Sequence, residues 1–337
     1  MSDFRSIGDL SSSLRLRHLN ARLKADAGRL GAELASGRAA DMVRRTNGDL
    51  GRLNGFEHGL GMLKAYGTAA SEFLTLASAM QTALGAVEHQ AADTGATLVA
   101  ASNTLTSASL GAGADAAREG FRAAVGALNT SIAGRALFAG RAFDTPALAG
   151  ADTMLAELEG LTGGAADAGA VRAIVADYFD DPGGGFQTSG YLGSAETAGT
   201  RRISPTETAR ADILASDPAL REVLKGLATA ALAGGGGPSL DLSARADLLR
   251  GSGEALLTAV DGVVDLQAAL GATEARVEAA EVASSAEASA LETTRNAAIA
   301  ADPYRTATEL QNVEIQLEAL YLATSRLSQM TLARYLR

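Results

Sequence analysis

The chain has 337 residues, enough for about two domains, and it contains no Cys, which excludes a disulfide framework, a thiolate metal site and a Cys nucleophile. Apolar residues make up 47% of it, yet aromatics only 4% and Trp is absent, so Ala and Leu must do the burying, which favours slender helix pairs over a thick globule. The formal net charge of −10 argues against nucleic acid as a partner, and it is concentrated in residues 51–300, with 16 basic and 29 acidic side chains, while the two ends are close to neutral.

In the first segment, about 7–46, Leu16, Leu19, Leu23, Ala27, Leu30 and Leu34 recur at steps of three and four, one seam of a helix. Gly37 marks its bend or break. A second helix spans about 47–103, with Leu53, Phe56, Leu60 and Leu63 on one face, followed by Phe73, Leu76, Met80, Leu84 and Val87. Ser109 to Ala114, with Gly111 and Gly113, reads as a turn. A third helix is expected over about 115–137, burying Phe121, Val125, Leu128 and Ile132.

From 138 to 240 Gly and Pro punctuate the chain, and short helices are expected near 152–160, 169–179 and 217–233. A β-hairpin is plausible, with Thr200–Ile203 and Thr208–Ile213 flanking Ser204-Pro205-Thr206-Glu207. This stretch reads as a small α/β insert.

From Leu240 the chain is helical again, with a seam of Leu256, Val260, Val263, Leu270 and Val277. A helix over 241–300 would be roughly 90 Å long and must lie along a partner helix. Pro303 interrupts, and the last helix carries Leu310, Val313, Leu317, Leu320 and Leu327 at three–four spacing. The fold class is therefore mainly α, a long antiparallel helical bundle built from both termini around the α/β insert.

Chemistry is hard to find in these residues. His18, His58 and His89 are scattered without metal-ligand spacing, and no nucleophile, metalloprotease or P-loop motif occurs. The Gly runs at 183–185 and 234–237 read as turns, the adjacent Asp180-Asp181 as a helix-terminating turn, and Arg44-Arg45 and Arg201-Arg202 as exposed charge or ion-pair partners. No catalytic residue, cofactor or metal is expected. The terminal seams pair either within one molecule or also between molecules. Leu332, Tyr335 and Leu336, apolar so close to the end, favour the second. The N-terminus lacks the apolar region of a signal peptide, and no unbroken run of 18 apolar residues exists, so no transmembrane helix is expected. Taken alone, these features would say cytoplasmic.

Three stretches change that reading. Leu34-Ala35-Ser36-Gly37-Arg38, Leu128-Asn129 through Leu137-Phe138-Ala139-Gly140, and Asp302 through Leu336 with Thr308-Glu309-Leu310-Gln311 and Gln316-Leu317-Glu318-Ala319-Leu320-Tyr321, resemble the flagellin superfamily of bacterial flagellar axial proteins in order and in spacing from the ends. The acidic element usual after Gly37 is replaced by Ala39-Ala40-Asp41-Met42-Val43. Within the superfamily, the C-terminal run and Tyr191-Leu192-Gly193-Ser194 resemble hook–filament junction proteins of the alphaproteobacterial type. The resemblance implies a non-enzymatic structural subunit of the extracellular flagellum, exported by the flagellar type III system without a cleaved signal. Implied partners are copies of itself, a hook-associated protein, flagellin and an export chaperone, with no nucleic acid and no membrane insertion. The implied layout is 1–45 with 303–337 as terminal assembly helices, 46–137 with 241–302 as the bundle, and 138–240 as surface insert. The terminal segments would be disordered in the monomer and helical in the polymer. The expected assembly seam is Leu16, Leu19, Leu23, Leu30, Leu34, Leu310, Val313, Leu317, Leu320 and Leu327. A filament flagellin, a cytoplasmic coiled-coil scaffold and, last, an enzyme with a cleft in 138–240 are the rival readings.

Overall fold

The structure, a computed structural model, describes residues 4–45, 49–235 and 237–335. It is mainly α-helical. In chain order the elements are α1 (Phe4–Ser36), α2 (Met42–Arg45), α3 (Leu50–Ser102), α4 (Ser107–Leu128), β1 (Ser131–Ile132), β2 (Arg135–Ala136), α5 (Ala151–Thr162), α6 (Ala168–Asp180), a π-helical turn (Phe186–Gly190), β3 (Arg201–Arg202), β4 (Thr208–Ala209), α7 (Pro218–Ala231), α8 (Leu242–Ile299) and α9 (Pro303–Tyr335). The chain divides into two compact units, Met1–Leu63 with Ala286–Arg337, and Lys64–Ser285.

The second unit holds the hydrophobic core. Its part of α3 buries Phe73, Met80, Leu84, Val87 and Leu98. α4 adds Leu110, Phe121, Val125 and Leu128, and α7 lies on α4 with Leu220, Val223, Leu224 and Leu227. Leu256, Val263, Leu270 and Val277 of α8, seven residues apart, are all buried, the seam of a heptad-spaced helix. The ends are capped by short polar side chains as backbone N–H groups require: Thr106 accepts from Ser109 N, Asp167 from Ala170 N, and Asp217 from Ala219 N with Pro218 in the first turn of α7.

Two expectations are corrected in this unit. The stretch 109–114 is not a turn but the first turns of α4; the turn falls at 103–106, before Thr106. Each Gly costs a helix about 1 kcal/mol, but Leu110 and Ala114 are buried here, and that burial outweighs the propensity. The same helix stops at Leu128, not 137. Asn129 caps it, and 131–136 fold into the β1–β2 hairpin through Ala133 and Gly134, both at positive φ. The β3–β4 hairpin lies where the sequence places it, though each strand is only two residues long, with Arg201 opposite Ala209 and Arg202 opposite Thr208.

The insert is tied to α4 by a side chain that imitates backbone. Asn129 Nδ2 donates to Leu148 O at 3.0 Å, and Leu148 N donates to Asn129 Oδ1 at 2.8 Å. Phe138 and Ala139 are fully buried behind it. Gly140 has φ 62°, and a Cβ there would lie 2.4 Å from Glu196 O and 2.7 Å from Ser194 O. Tyr178, Phe179, Phe186 and Tyr191 form a chain of ring contacts, edge-to-face, tilted and stacked in turn, with neighbouring centroids 5.2, 5.3 and 6.5 Å apart.

α8 departs from one further expectation. It contains an 18-residue window of mean hydropathy 1.4 with no more than two charged residues, apolar enough by composition to cross a membrane. Its hydropathy is spread through Ala, Val and Leu between isolated polar residues, so a search for unbroken apolar runs passes over it.

Candidate assembly interface

The first unit has a sparser interior. Among the described residues its buried hydrophobics are Leu23, Leu30, Leu63, Ile299 and Leu320. Its main contact is α1 against α9, two helices of 33 residues each running antiparallel. Lys24 Nζ sits 5.9 Å from the Tyr321 ring centre at one level of the pair, and the loop after α1 meets the start of α9 at another.

That second meeting is a backbone clasp. Gly37, at φ 67°, ends α1 in a conformation that favours Gly. Arg38 then bridges Ala300 in antiparallel fashion, with Ala39 N donating to Ile299 O and Ala301 N to Gly37 O, both at 2.9 Å. The buried Glu33 carboxylate fixes the turn from the side: it accepts from Ala40 N at 2.9 Å and pairs with Arg29 at 3.2 Å. Arg29 also reaches Asp26 at 3.4 Å. Burial alone would lower the Arg29 pKa, but the two carboxylates outweigh it and raise it. Across the clasp, Asp302 caps α9 by accepting from Tyr304 N and Arg305 N at 3.0 and 3.1 Å, and Pro303 opens the helix where its missing N–H costs nothing.

From the clasp outward the seam runs along both helices. Leu30 and Leu23 are 3% and 7% exposed, and Leu16 is half-buried. Opposite them Thr306 is buried, Leu310, Val313 and Leu317 are half-buried, and Leu320 is 7% exposed. The structure thus brings together Leu16, Leu23, Leu30, Leu310, Val313, Leu317 and Leu320. Leu19, Leu34 and Leu327 are turned outward, at 45%, 41% and 47% exposure. The seam on α1 follows 16, 20, 23, 27, 30 and 33, which puts Asn20 and Glu33 where apolar spacing suggested Leu19 and Leu34. Only polar residues mark those positions, so counting apolar residues misses them. Leu336 lies outside the described residues, as do the side chains of Leu332 and Tyr335.

Several apolar side chains of the pair are exposed: Leu14 and Leu19 on α1, and Ile315 and Leu322, one heptad apart, on α9. Beside the clasp lies a groove of about 450 Å³ lined by Arg29, Arg45 and Arg305 against Glu33, Asp41, Asp302 and Glu309, a nearly balanced set that favours neither a small anion nor a cation. No group of three or more His, Asp or Glu among the described residues is placed to hold a metal.

These features define the class first: a helical protein whose two terminal helices form one antiparallel pair that leaves several apolar side chains exposed. The comparisons with known proteins then bear on kind. Residues 254–336, covering much of α8 and all of α9, match the family model described as the bacterial flagellin C-terminal helical region. This stretch is flagellin-like. A solved structure from Vibrio parahaemolyticus, described as a candidate flagellar hook-associated protein, is 14% identical with a TM-score of 0.49, over 73% of this chain and 95% of that one. No curated protein matches the chain.

Proposed function

We propose that the chain is a member of the flagellin superfamily and a structural, non-enzymatic subunit of the bacterial flagellum, and that it polymerises through α1 and α9 to join hook to filament. One observation carries the proposal: the segment that matches the flagellin C-terminal region includes the helix that pairs with α1. The seam of Leu16, Leu23, Leu30, Leu310, Val313, Leu317 and Leu320 holds the pair together. Leu19, Leu34 and the exposed face with Ile315 and Leu322 await neighbouring copies. The terminal segments 1–45 and 303–337 form the inner layer, 46–137 with 241–302 the surrounding bundle, and 138–240 the surface insert. The junction role rests on the insert and C-terminal sequence, which resemble junction proteins more than filament subunits. The location that follows is extracellular, after export through the flagellar type III channel without a cleaved signal. The neighbours would be a hook-associated protein and flagellin, with an export chaperone beforehand. In this setting α8 is a bundle helix, its seam residues buried at heptad spacing.

Deleting the gene tests the reading. Cells are expected to keep intact hooks and lose filaments. Normal flagella in its absence would overturn the flagellar role and favour a cytoplasmic scaffold. Long filaments grown from this purified chain alone would replace the junction role with that of a flagellin.

A further inference from the structure

We infer that Val282 of one subunit seats in the cavity between α3 and the two hairpins of a neighbouring copy, with Glu278 and Glu281 beside it meeting Arg135 at the rim. This deepens the proposed function and rests on it, naming a contact between copies that is made by the unit Lys64–Ser285 and not by the terminal helices.

The cavity measures about 60 Å³. Phe73, Leu76 and Met80 of α3 line it from one side, and the half-exposed ring of Phe143 lines it from another. The Arg135 guanidinium lies over that ring, 4.6 Å from its centre, and makes no ion pair among the described residues. Arg201 also lines the cavity and is held by Glu72 at 2.8 Å. No carboxylate lines it, although acidic residues outnumber basic ones by 29 to 16 over 51–300. A cavity of roughly 150 Å³ takes a benzene ring, so this one suits a branched aliphatic side chain and is too small for a ring or a sugar. Apolar walls with an unpaired cation at the mouth call for such a group carried beside a negative charge.

Val282 answers both requirements. At 70% it is the most exposed large apolar side chain of its unit among the described residues. An exposed valine alone needs no explanation, but this one has Glu278 one turn before it on the same helix face and Glu281 adjacent. Neither carboxylate makes an ion pair among the described residues, and α8 carries no basic residue from Val277 to Thr294. Being exposed, Val282 does not fill the cavity of its own subunit, so the match is between copies. The two patches are different surfaces. Each copy therefore offers Val282 to one neighbour and the cavity to another, the head-to-tail arrangement that closes into a ring or climbs as a helical stack.

The chain contains no Cys, so introduced pairs report the contact without background. Ala198 lines the cavity and is exposed. Ala198→Cys and Val282→Cys are made in separate full-length chains, both are expressed in one cell, and the isolated flagella are mildly oxidised. A disulfide joining positions 198 and 282 is expected in excess over 198–198 and 282–282 products, and none in the dilute monomer. In a second arm, Arg135→Glu and Glu278→Arg should each lower the amount of chain retained in flagella at least about threefold, and the two together in one chain should restore it. Val282→Ser should lower retention about tenfold, while the purified subunit keeps its thermal transition. Flagella that contain the chain but give no 198–282 product, or retention unmoved by Val282→Ser, would overturn the inference and leave the flagellar reading standing. Absence of the chain from flagella would overturn that reading and the inference with it.

Discussion

Tyr178 shows how much one residue of the insert can carry. Its hydroxyl donates to Glu157 at 2.8 Å, and Ser189 donates to the same carboxylate at 3.1 Å. Burial first, and then the Glu157 charge, push the phenol well above its ordinary value of 10.0. The folded chain thus holds this proton more tightly than the unfolded chain. Its stabilisation is complete below about pH 10 and is lost as pH rises beyond that. Tyr178→Phe should cost about 1–3 kcal/mol at neutral pH and flatten the fall in stability above pH ~10, read by denaturant unfolding across that range. The family-like motif at 128–140 is likewise structural. Phe138 is fully buried, so Phe138→Ala should cost about 3–5 kcal/mol. Gly140→Ala sets a Cβ against two carbonyl oxygens at a positive φ and should cost at least about 2 kcal/mol, both measured on unit Lys64–Ser285 within the full chain. The motif was visible in sequence. What Asn129 does was not, because its partner Leu148 sits across a loop whose path no local pattern fixes.

Among elements, the long helices were legible and their edges were not. α3, α8 and α9 lie within a few residues of where their apolar spacing puts them, since dozens of residues repeat the same signal. The start of α4 was hidden by Gly111 and Gly113, residues that suit a turn but here are overruled by burial of Leu110 and Ala114. At the terminal pair apolar spacing alone leaves the phase of the packed face open. A step of three or four is open at each turn, and the choice of Glu33 over Leu34 was made by the Ala40 amide, not by hydrophobicity. That distinction separates two kinds of substitution. Leu30→Ala and Leu320→Ala should loosen α1 from α9, at about 2–3 kcal/mol each, visible as faster exchange in both helices. Ile315→Ser with Leu322→Ser, on exposed positions, should leave the lone subunit unchanged, to within about 0.5 kcal/mol. If that face is covered by neighbouring copies, the double variant should nevertheless fail to polymerise in a sedimentation assay. Normal polymers would show that the face has another use.

At the scale of the whole chain, burial is divided unequally, and the division sets what a truncation can do. The unit Lys64–Ser285 contains nearly every fully buried large side chain, from Phe73 to Val277, and closes its helix ends with its own caps. The unit formed by Met1–Leu63 and Ala286–Arg337 has a thin seam whose half belongs to α9. Removing 303–337 takes away Leu310, Val313, Leu317 and Leu320 together, leaving Leu23 and Leu30 without cover. About 1.5–3 kcal/mol per leucine is then forfeited on α1, and tertiary packing of this kind supplies most of a helix's stability in a protein. The core of the other unit loses no side chain in the process. The truncated chain is therefore expected to keep a cooperative thermal transition and remain soluble, while α1 gives up helicity by circular dichroism and polymers no longer form. Retention of polymer growth by that chain would mean that assembly does not run through the terminal pair. Loss of the cooperative transition would mean that the stability of Lys64–Ser285 depends on residues 303–337.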